Sequence, residues 1–591
     1  MVVGFDFGTT NSLISVILRD RAVNCFDEEG LPYPSIVRYE GEQVIAGREA
    51  RASLDAAGLG IHGNTVRSPK FLLGDEAVDV GGVERSPVDI VHDVVSHVKA
   101  NSLRGPQGRI LGGVKRAVVT IPVTLTGPKR AALRDAFRRA DIEIVQFVHE
   151  PFAALYGYLR SQHDPSEMLR RFNRRNVLVV DWGGGTLDLT LCRIEGNRVV
   201  QLRNGGSDEV GGDQFDQAIR EAVIARFIKA ASIPPDATIH PDARLRLLQD
   251  AENNKIVLSE RPSATFYRPG FFTDPSGTLE YRLTRDELDE ITRPLVMSGL
   301  RHIESLLDSV GIGPSQVGTV LAVGGMAAMP AVRSRLYELF GPQRVEVPAN
   351  SATLVAEGAA WIAHDNRRLQ LAKPLELRLA RGAFLPILKA GTNMPIAGED
   401  RHQKTHLFCT DPTDGVAKFE LCVPTRPSAS PQISDPRMPI GVLTIDVHTE
   451  AKPFAERLEL DILIDDNLIL TASAWSAMAK ARDSITVHDL EFGLALAEAD
   501  GDSALTEQSF ETNEDETRRG GGLAVRANIA DEAREELIPG EVLYAHHPAA
   551  FRSGVLRTAT QEQVDEHLYY QPCSVCKRDY NDPACRCATR A

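Results

Sequence analysis

Two short glycine-rich turns combine the residue types that bind phosphate and a divalent cation. The first, Asp6-Phe7-Gly8-Thr9-Thr10, follows the apolar run 2–5, and the second, Asp181-Trp182-Gly183-Gly184-Gly185-Thr186, follows the apolar run 177–181. Glycine lets backbone N–H groups approach phosphate oxygens, and threonine hydroxyls add donors. Because the aspartates would repel a polyphosphate, a hydrated Mg²⁺ is expected between the two. One such turn is also typical of a tight hairpin, but two of matching chemistry indicate a duplication.

A third glycine turn offers a contact for a nucleoside. Gly324 and Gly325 follow the apolar run 317–323, and Pro330 then begins a helical pattern that reaches residue 340. Proline is favoured in the first turn of a helix. A helix that starts after such a turn can hold an adenosine or its α-phosphate.

The elements that must position these turns follow an α/β pattern over residues 1–365. Apolar strand-like runs alternate there with helical runs such as 129–140, 214–231 and 285–309, as in α/β proteins. From 374 to about 490 the helical period fades and alternating runs such as 458–464 appear. This change predicts a small antiparallel β domain, with a proline-rich loop at 424–439. The polar residues 366–373 are predicted to form an interdomain linker.

Composition excludes two classes of protein and suggests a compartment. The 66 basic and 81 acidic residues give a net charge of −15, which argues against a general nucleic-acid binder. No run of about 18 apolar residues is present, so no membrane-spanning helix is predicted. The N-terminal residues lack the features of a secretory signal, and we expect a cytoplasmic protein.

The C-terminal residues 491–591 are predicted to be a largely disordered tail that carries a cluster of four cysteines. Residues 491–560 are acidic and are predicted to be a mostly disordered linker. Residues 561–591 form a cysteine-rich element that holds Cys573, Cys576, Cys585 and Cys587. We predict a tetrahedral zinc site of these four thiolates, with His567 as a further candidate ligand. Reduced thiols and a disulfide switch are the alternatives.

Taken together, the motifs resemble the seventy-kilodalton heat-shock protein family, the DnaK-type chaperones of the actin-like ATPase superfamily. The matching stretches in residues 1–365 are 4–12, 119–122, 149–154, 181–188, 210–216 and 324–330. Stretches 384–395 and 468–474 resemble the family's substrate-binding β-sandwich. The resemblance implies an ATPase domain of two duplicated lobes, followed by a β-sandwich.

The resemblance also implies roles for individual residues. Asp6 and Asp181 would hold Mg²⁺ through its water ligands. The residues implied in catalysis are Lys70, Glu150, Asp181, Thr186 and Asp188. Those implied in nucleotide binding are Asp6, Gly8, Thr9, Thr10, Asn11, Gly183, Gly184, Gly185, Gly211, Gly212, Glu252, Lys255, Ser259, Gly324 and Gly325. Pro122 and Arg130 match the family's switch, which relays the nucleotide state to the domain surface.

The chain departs from the family pattern at four places. Ala328 stands where the family has an arginine that stacks on adenine, and Gln146 replaces an arginine that helps to dock J-domain partners. The linker lacks the family's run of leucines, and no helical lid is recognisable in the tail. These differences bear on nucleotide affinity, on co-chaperone docking and on the coupling between domains.

Two functions of different classes follow from these residues. The first is an ATP-dependent chaperone that binds unfolded or client polypeptides, with a J-domain co-chaperone and a nucleotide-exchange factor as implied partners. The second is a nucleotide-gated scaffold that is dedicated to one client and turns over little ATP. The phosphate and metal residues favour the first, and the altered linker and lid favour the second. A sugar kinase is disfavoured, because such an enzyme has no place for a β domain after residue 374.

Overall fold

The computed structural model describes residues 1–52, 60–104, 112–162, 171–234, 237–274, 276–379, 383–426, 431–432, 434–496 and 544–545. These residues form two compact units. The first comprises Met1–Arg368 together with 494–496, and the second comprises Leu369–Gly493. The domain limits drawn from the sequence stay predictions. The predicted cysteine element 561–591 and most of the acidic segment lie outside the described residues.

The first unit contains two sheets with the same core topology. The first sheet has the strand order Glu143–His149, Arg116–Ile121, Val2–Phe7, Asn11–Leu18, Arg21–Cys25. The second has the corresponding order Val345–Glu346, Val317–Val323, Asn176–Trp182, Leu187–Glu195, Arg198–Ser207. In both, the central strand pairs in parallel with one neighbour and in antiparallel fashion with the other. The duplication predicted from the two glycine turns is therefore confirmed.

These strands are strongly apolar because each central strand is covered on both faces. In the strand Asn176–Trp182, every residue after the first is buried. A continuous apolar run of this kind is typical of a strand inside an α/β layer structure. Each glycine turn joins such a central strand to its antiparallel neighbour, so the two turns are anchored by largely buried strands.

Helices pack around these sheets, and smaller sheets complete the unit. The helices are Arg48–Arg51, Pro87–Ser102, Gly127–Arg139, Glu150–Arg160, Gly212–Ala230, Pro241–Glu260, Arg285–Ser309, Pro330–Phe340 and Leu354–His364. Short 3₁₀ turns occur at Pro69–Leu72, Pro314–Gln316 and Gly325–Ala328. The further strands are Tyr33–Pro34, Ile36–Glu40, Gln43–Ala46, Gly60–His62, Thr65–Arg67, Val78–Val80, Val83–Arg85, Thr238–Ile239, Ser263–Asp274 and Ser276–Thr284. Within the described residues, no helix is both long and apolar enough to cross a membrane.

A close helix crossing fixes the helix that begins at Glu150. A Cβ on Gly358 would lie 1.8 Å from the carbonyl oxygen of Ala153, and one on Gly157 would lie 2.9 Å from the backbone of Gly358. Because neither glycine has a side chain, the backbones of helices Glu150–Arg160 and Leu354–His364 meet directly. The position of Glu150 is thereby tied to the packed interior.

The second unit is built mainly from antiparallel strands, as the alternating pattern predicts. One sheet has the order Phe384–Leu388, Leu375–Arg378, Val416–Pro424, Arg437–Asp446. The other has the order Arg482–Val487, Leu470–Ser476, Arg457–Ile464, Arg401–Cys409, and the short strand Tyr544–Ala545 pairs in parallel with its last member. Along Arg457–Ile464, alternate residues from Leu458 to Ile464 are buried. This period of two is expected for strands with one covered face.

Three stretches differ from the sequence predictions. The strand Gln370–Leu371 lies inside the predicted linker, and the strand Phe492–Ala495 lies at the start of the predicted disordered segment. The strand Arg437–Asp446 also begins within the predicted loop 424–439. In the first two cases short apolar runs are buried, whereas the dense acidic run begins only at Glu498. When a segment is classified by its overall charge, strands of only two to four residues within it are missed.

Candidate nucleotide site

The two glycine turns lie against each other in the first unit. A Cβ on Gly184 would lie 2.2 Å from Thr10 Oγ1, and one on Gly185 would lie 2.5 Å from Thr9 Cγ2. The absence of side chains at these glycines lets the second turn approach the threonines of the first. The structure therefore brings the two predicted phosphate-binding segments into a single site.

The first turn is tight and presents a free hydroxyl. A Cβ on Gly8 would lie 2.3 Å from the carbonyl oxygen of Asn11, so only glycine fits there. Asn11 begins the next strand, and its side chain is exposed. Thr10 Oγ1 is buried and has no hydrogen-bond partner within the described part of the chain. An unpaired buried hydroxyl is costly, and a phosphate oxygen would satisfy it.

The second turn is held in shape by the Gly211-Gly212 segment. Gly183 N–H donates to Thr186 O at 2.9 Å within the turn. Gly212 N–H donates to Gly183 O at 3.1 Å, and Asp213 N–H donates to Gly184 O at 2.7 Å. These bonds use the carbonyl groups of the turn and so fix its backbone.

Lys70 and Glu150 form a buried ion pair beside the first turn. Lys70 Nζ lies 2.8 Å from Glu150 Oε1 and donates to the carbonyl oxygen of Phe7 at 2.6 Å. The Lys70 side chain is only 4% exposed. The short 3₁₀ turn Pro69–Leu72 positions the lysine. A buried cation held against the phosphate turn can act on charge that develops there.

Three aspartates with raised pKa values lie around this pair. Burial, together with the charge of Glu150, raises the pKa of Asp6 and of Asp188 to about 7. Burial also raises the pKa of Asp181 well above its ordinary value, and the charges of Glu150, Asp188 and Asp6 add to the effect. Lys70 lowers all three pKa values. The predicted catalytic carboxylates are therefore brought together electrostatically, with one lysine against four acidic groups.

This charge imbalance fits a hydrated divalent cation. Four carboxylates, two buried and two half-buried, with one lysine leave an excess of negative charge, and oxygen donors are the ligands that Mg²⁺ prefers. Among the described residues, no three Asp, Glu, His or Cys side chains are grouped so that they could ligate one ion directly. Mg²⁺ held through its own water molecules needs no such direct group. The donor set therefore fits the ion that the sequence predicts.

The raised pKa values predict a pH dependence of stability in the protein without metal or nucleotide. Asp188 has an ordinary pKa of 3.8 and a folded-state pKa of about 7, so the folded protein binds more protons between these values. The stability that this group contributes is present at low pH and is lost as the pH rises through 7. Between pH 6 and pH 8, we expect the wild type to lose about 1 kcal/mol more unfolding free energy than Asp188→Asn.

Urea unfolding at the two pH values measures this difference. Both proteins keep the same buried histidines, whose titration therefore cancels in the comparison. Glu338→Gln, in which an exposed carboxylate is replaced, should keep the wild-type pH response. If Asp188→Asn also keeps it, Asp188 is ionised throughout this range.

The predicted switch residues lie directly behind the carboxylates. Val123 N–H, adjacent to Pro122, donates to Asp188 Oδ1 at 2.8 Å. Arg130 is fully buried, and its Nε donates to the carbonyl oxygen of Leu125 at 2.8 Å. A change at Asp188 thus acts directly on the backbone next to Pro122. The role of Pro122 and Arg130 as a switch stays a prediction.

The residues predicted to reach the nucleoside share one face of the helix Pro241–Glu260. Lys255 Nζ donates to Gly212 O at 2.9 Å and pairs with Asp216 at 2.8 Å. Ser259 Oγ donates at 3.3 Å to the carbonyl oxygen of Lys255, within its own helix. Lys255 therefore adjoins the Gly211-Gly212 segment, and the Ser259 hydroxyl caps a helical carbonyl.

The third glycine turn adjoins the carboxylates. Gly324 has a φ of +79°, and a Cβ there would lie 2.6 Å from Asp181 Oδ1. Both the left-handed backbone and the close approach require glycine. Gly325 and Ala328 are exposed in the 3₁₀ turn that follows. The role of this turn as an adenosine contact stays a prediction.

The structure adds charged residues that the sequence analysis missed. Arg51 Nη2 lies 2.8 Å from Glu252 Oε1, and Arg67 Nη2 lies 3.2 Å from Glu252 Oε2 and 3.2 Å from Asp213 Oδ1. Burial raises the pKa of Glu252, but Arg67, Arg51 and Lys255 lower it overall. Asp213 belongs to the motif 210–216, which is a usable signal. No sequence pattern marks Arg51 or Arg67.

Arg67 joins a small sheet of the first unit to two of its helices. It lies on the strand Thr65–Arg67, whereas Asp213 and Glu252 lie on the helices Gly212–Ala230 and Pro241–Glu260. Because the bridge includes Glu252, which is predicted to bind the nucleotide, we expect Arg67→Ala to release ADP about tenfold faster. Stopped-flow dissociation of a fluorescent ADP measures the rate.

A second, half-buried arginine of the same small sheet provides the control for this variant. Arg38 pairs with Glu40, which is 49% exposed, and Arg38→Ala should release ADP at the wild-type rate. Equal release rates for Arg67→Ala and the wild type would mean that the bridge does not hold the nucleotide.

Comparisons with known proteins agree with this geometry. A family model described as Hsp70 protein matches residues 77–367. The chaperone protein DnaK of Mycoplasmoides gallisepticum is 28% identical over 507 residues, which cover 82% of this chain and 80% of the relative. The chaperone protein DnaK of Thermosipho melanesiensis is 30% identical over 441 residues, which cover 71% of this chain and 70% of the relative. The chain therefore belongs to the Hsp70 family.

Proposed function

We propose that this chain is an Hsp70-type chaperone whose first unit binds and hydrolyses ATP with Mg²⁺. The observation that carries the proposal is the meeting of the two glycine turns beside a buried Lys70–Glu150 pair and three aspartates. Family membership supports it, because both relatives are named as chaperones.

The chain's own residues would act mainly by position and charge. Lys70 Nζ lies at the first turn, where it can stabilise negative charge that develops on the transferred phosphoryl group. Thr10 Oγ1 offers an unsatisfied hydroxyl to a phosphate oxygen. Glu150 holds Lys70 at 2.8 Å and supplies an acceptor for a water molecule. Mg²⁺, when bound, would neutralise phosphate charge.

We further propose that the second unit binds unfolded or client polypeptides. Its two antiparallel sheets supply the strands for the predicted β-sandwich of residues 374–490. A J-domain co-chaperone and a nucleotide-exchange factor are the proposed partners. At the predicted docking position, Gln146 is nearly buried and its Nε2 donates to the carbonyl oxygen of Arg367 at 2.7 Å. Any J-domain contact at this place would therefore be made without an exposed arginine.

Turnover of ATP by the purified full chain tests the proposal. We expect ADP formation that requires Mg²⁺, stops with a chelator and changes in rate when a peptide library is added. A protein that binds ATP tightly but forms no more ADP than the chelated sample would contradict the proposal. That result would favour the alternative of a nucleotide-gated scaffold.

A further inference from the structure

The C-terminal tail supplies one strand to the second unit. Tyr544–Ala545 pairs in parallel with the end of the strand Arg401–Cys409, opposite Phe408 and Cys409. It also contacts the strand Val416–Pro424, which belongs to the other sheet of the unit. The tail strand therefore lies where the edge of one sheet meets the other sheet, beside the loop that connects the two strands it touches.

Backbone groups define this contact. The N–H of Cys409 donates to Glu456 O at 3.0 Å, and the carbonyl oxygen of Cys409 accepts from Phe454 N–H at 2.8 Å. Because successive residues of a strand direct their backbone groups to opposite edges, the N–H and carbonyl of Phe408 face the tail strand. The parallel register then directs the N–H of Ala545 to the carbonyl oxygen of Phe408.

The edge that the tail strand covers is shaped by residues outside the tail. In the loop that follows Cys409, Asp411 Oδ1 accepts a hydrogen bond from Thr413 N–H at 3.1 Å. Thr410 Oγ1 is buried and has no hydrogen-bond partner in the part of the chain that the structure describes. An edge of this kind can pair with any extended chain segment. The tail strand leaves one polar group of the edge unsatisfied, which is unfavourable.

The sequence around the tail strand suits one short extended segment. Residues 542–545 are an apolar run, and Val542 and Tyr544 are of types favoured in strands. Pro539 and Gly540 precede the run and Pro548 follows it, and these residue types interrupt regular structure. Because the run belongs to the same chain as the edge, its effective concentration there is on the order of millimolar.

We propose that residues 542–545 are an internal ligand of the second unit, which occupies the edge at Phe408 and Cys409 and competes there with polypeptide clients. The edge recognises an extended chain that runs parallel to Arg401–Cys409, mainly through backbone hydrogen bonds. A client must displace the tail strand before it can bind. The competition with clients rests on the proposed function, whereas the binding of the tail strand does not.

Binding of the tail sequence as a separate peptide tests the proposal. The probe is a fluorescein-labelled peptide of residues 538–549, and the proteins are the full chain and a variant that lacks residues 541–547. We expect the peptide to bind the deletion variant at least about tenfold more tightly than the wild type, because the internal competitor is then absent. Equal affinities, or no binding to the deletion variant, would overturn the proposal.

Two proline variants locate the contact within the full chain. Ala545→Pro removes the N–H that is directed to Phe408 O, and this variant should bind the labelled peptide at least about fivefold more tightly than the wild type. Ala549→Pro is the matched control, because it makes the same replacement outside the described strand, and it should bind the peptide as the wild type does. A wild-type affinity in Ala545→Pro would contradict the proposed contact.

Hydrogen exchange shows whether the tail covers this edge. The amides of Phe408 and Thr410, which alternate with Cys409, should exchange at least about tenfold faster in the deletion variant than in the full chain. The amide of Cys409 donates to Glu456 O in both proteins and provides the internal control. Unchanged exchange at Phe408 and Thr410 would overturn the proposal. Amides of the strand Arg457–Ile464 report whether the unit remains folded.

A permanently unfolded protein distinguishes this proposal from the proposed function. Reduced and carboxymethylated α-lactalbumin serves as the client. We expect it to displace the labelled peptide from the deletion variant, and to bind the full chain at least about fivefold less tightly than the deletion variant. Binding without displacement would contradict the competition. If the unfolded protein binds neither form, client binding by the second unit fails, while the peptide and exchange measurements still test the tail strand.

Discussion

Replacement of Lys70 by alanine should slow ATP hydrolysis by about 100- to 1000-fold, while ATP affinity changes by less than about tenfold. Lys70 Nζ lies beside the first glycine turn, 2.6 Å from the carbonyl oxygen of Phe7. A buried ammonium at this place acts most strongly on charge that grows as the phosphoryl group is transferred. Its loss should therefore affect the rate more than the binding. Single-turnover hydrolysis and calorimetric titration measure the two quantities separately.

The same variant leaves the acidic groups of the site without their cation, so its folding must be checked. The thermal midpoint and the binding of ATP show whether the unit remains intact. Lys99→Ala provides the control, because Lys99 Nζ donates to carbonyl oxygens of Ala140 and Asp141 and touches no predicted site residue. Hydrolysis by Lys70→Ala at the wild-type rate would remove Lys70 from the catalytic set.

Local sequence patterns predicted the turns, strands and helices that form the backbone of the candidate site. The two glycine turns, the strand Val317–Val323 and the helices Arg285–Ser309 and Pro330–Phe340 occur where the apolar runs and glycines place them. Such features are encoded within about 25 neighbouring residues, because a strand, a turn and a helix start each have a local signature. The two matching turns also predicted the duplication of the sheets.

Contacts between distant residues could not be predicted in the same way. Arg67 lies about 146 and 185 residues before Asp213 and Glu252 in the sequence, and no local spacing encodes their meeting. The roles of Lys70 and Glu150 were implied by resemblance, because each by itself reads as an ordinary surface or helix-start residue. The strand Gln370–Leu371 was missed because two residues are too few to show a period.

Replacement of Gly211 by alanine should reduce ATP affinity by about 100-fold. A Cβ there would lie 2.3 Å from the carbonyl carbon of Gly185 and 2.5 Å from its oxygen. Ordinary contacts begin near 3.4 Å, and the atoms opposed are backbone, which cannot rotate away. The second glycine turn must therefore move by about 1 Å, a displacement that can cost a site about 100-fold.

The expected effect of Gly211→Ala is on ATP affinity and not only on stability, because the displaced turn is the one that faces Thr9 and Thr10. Gly313→Ala is the matched control: Gly313, like Gly211, directly precedes a helical segment and has ordinary backbone angles, but no atom lies nearer than 3.9 Å to an added Cβ. That variant should bind ATP as the wild type does. If Gly211→Ala also binds ATP normally while its thermal midpoint falls, the turn at 183–186 contributes to folding and the phosphates are held elsewhere.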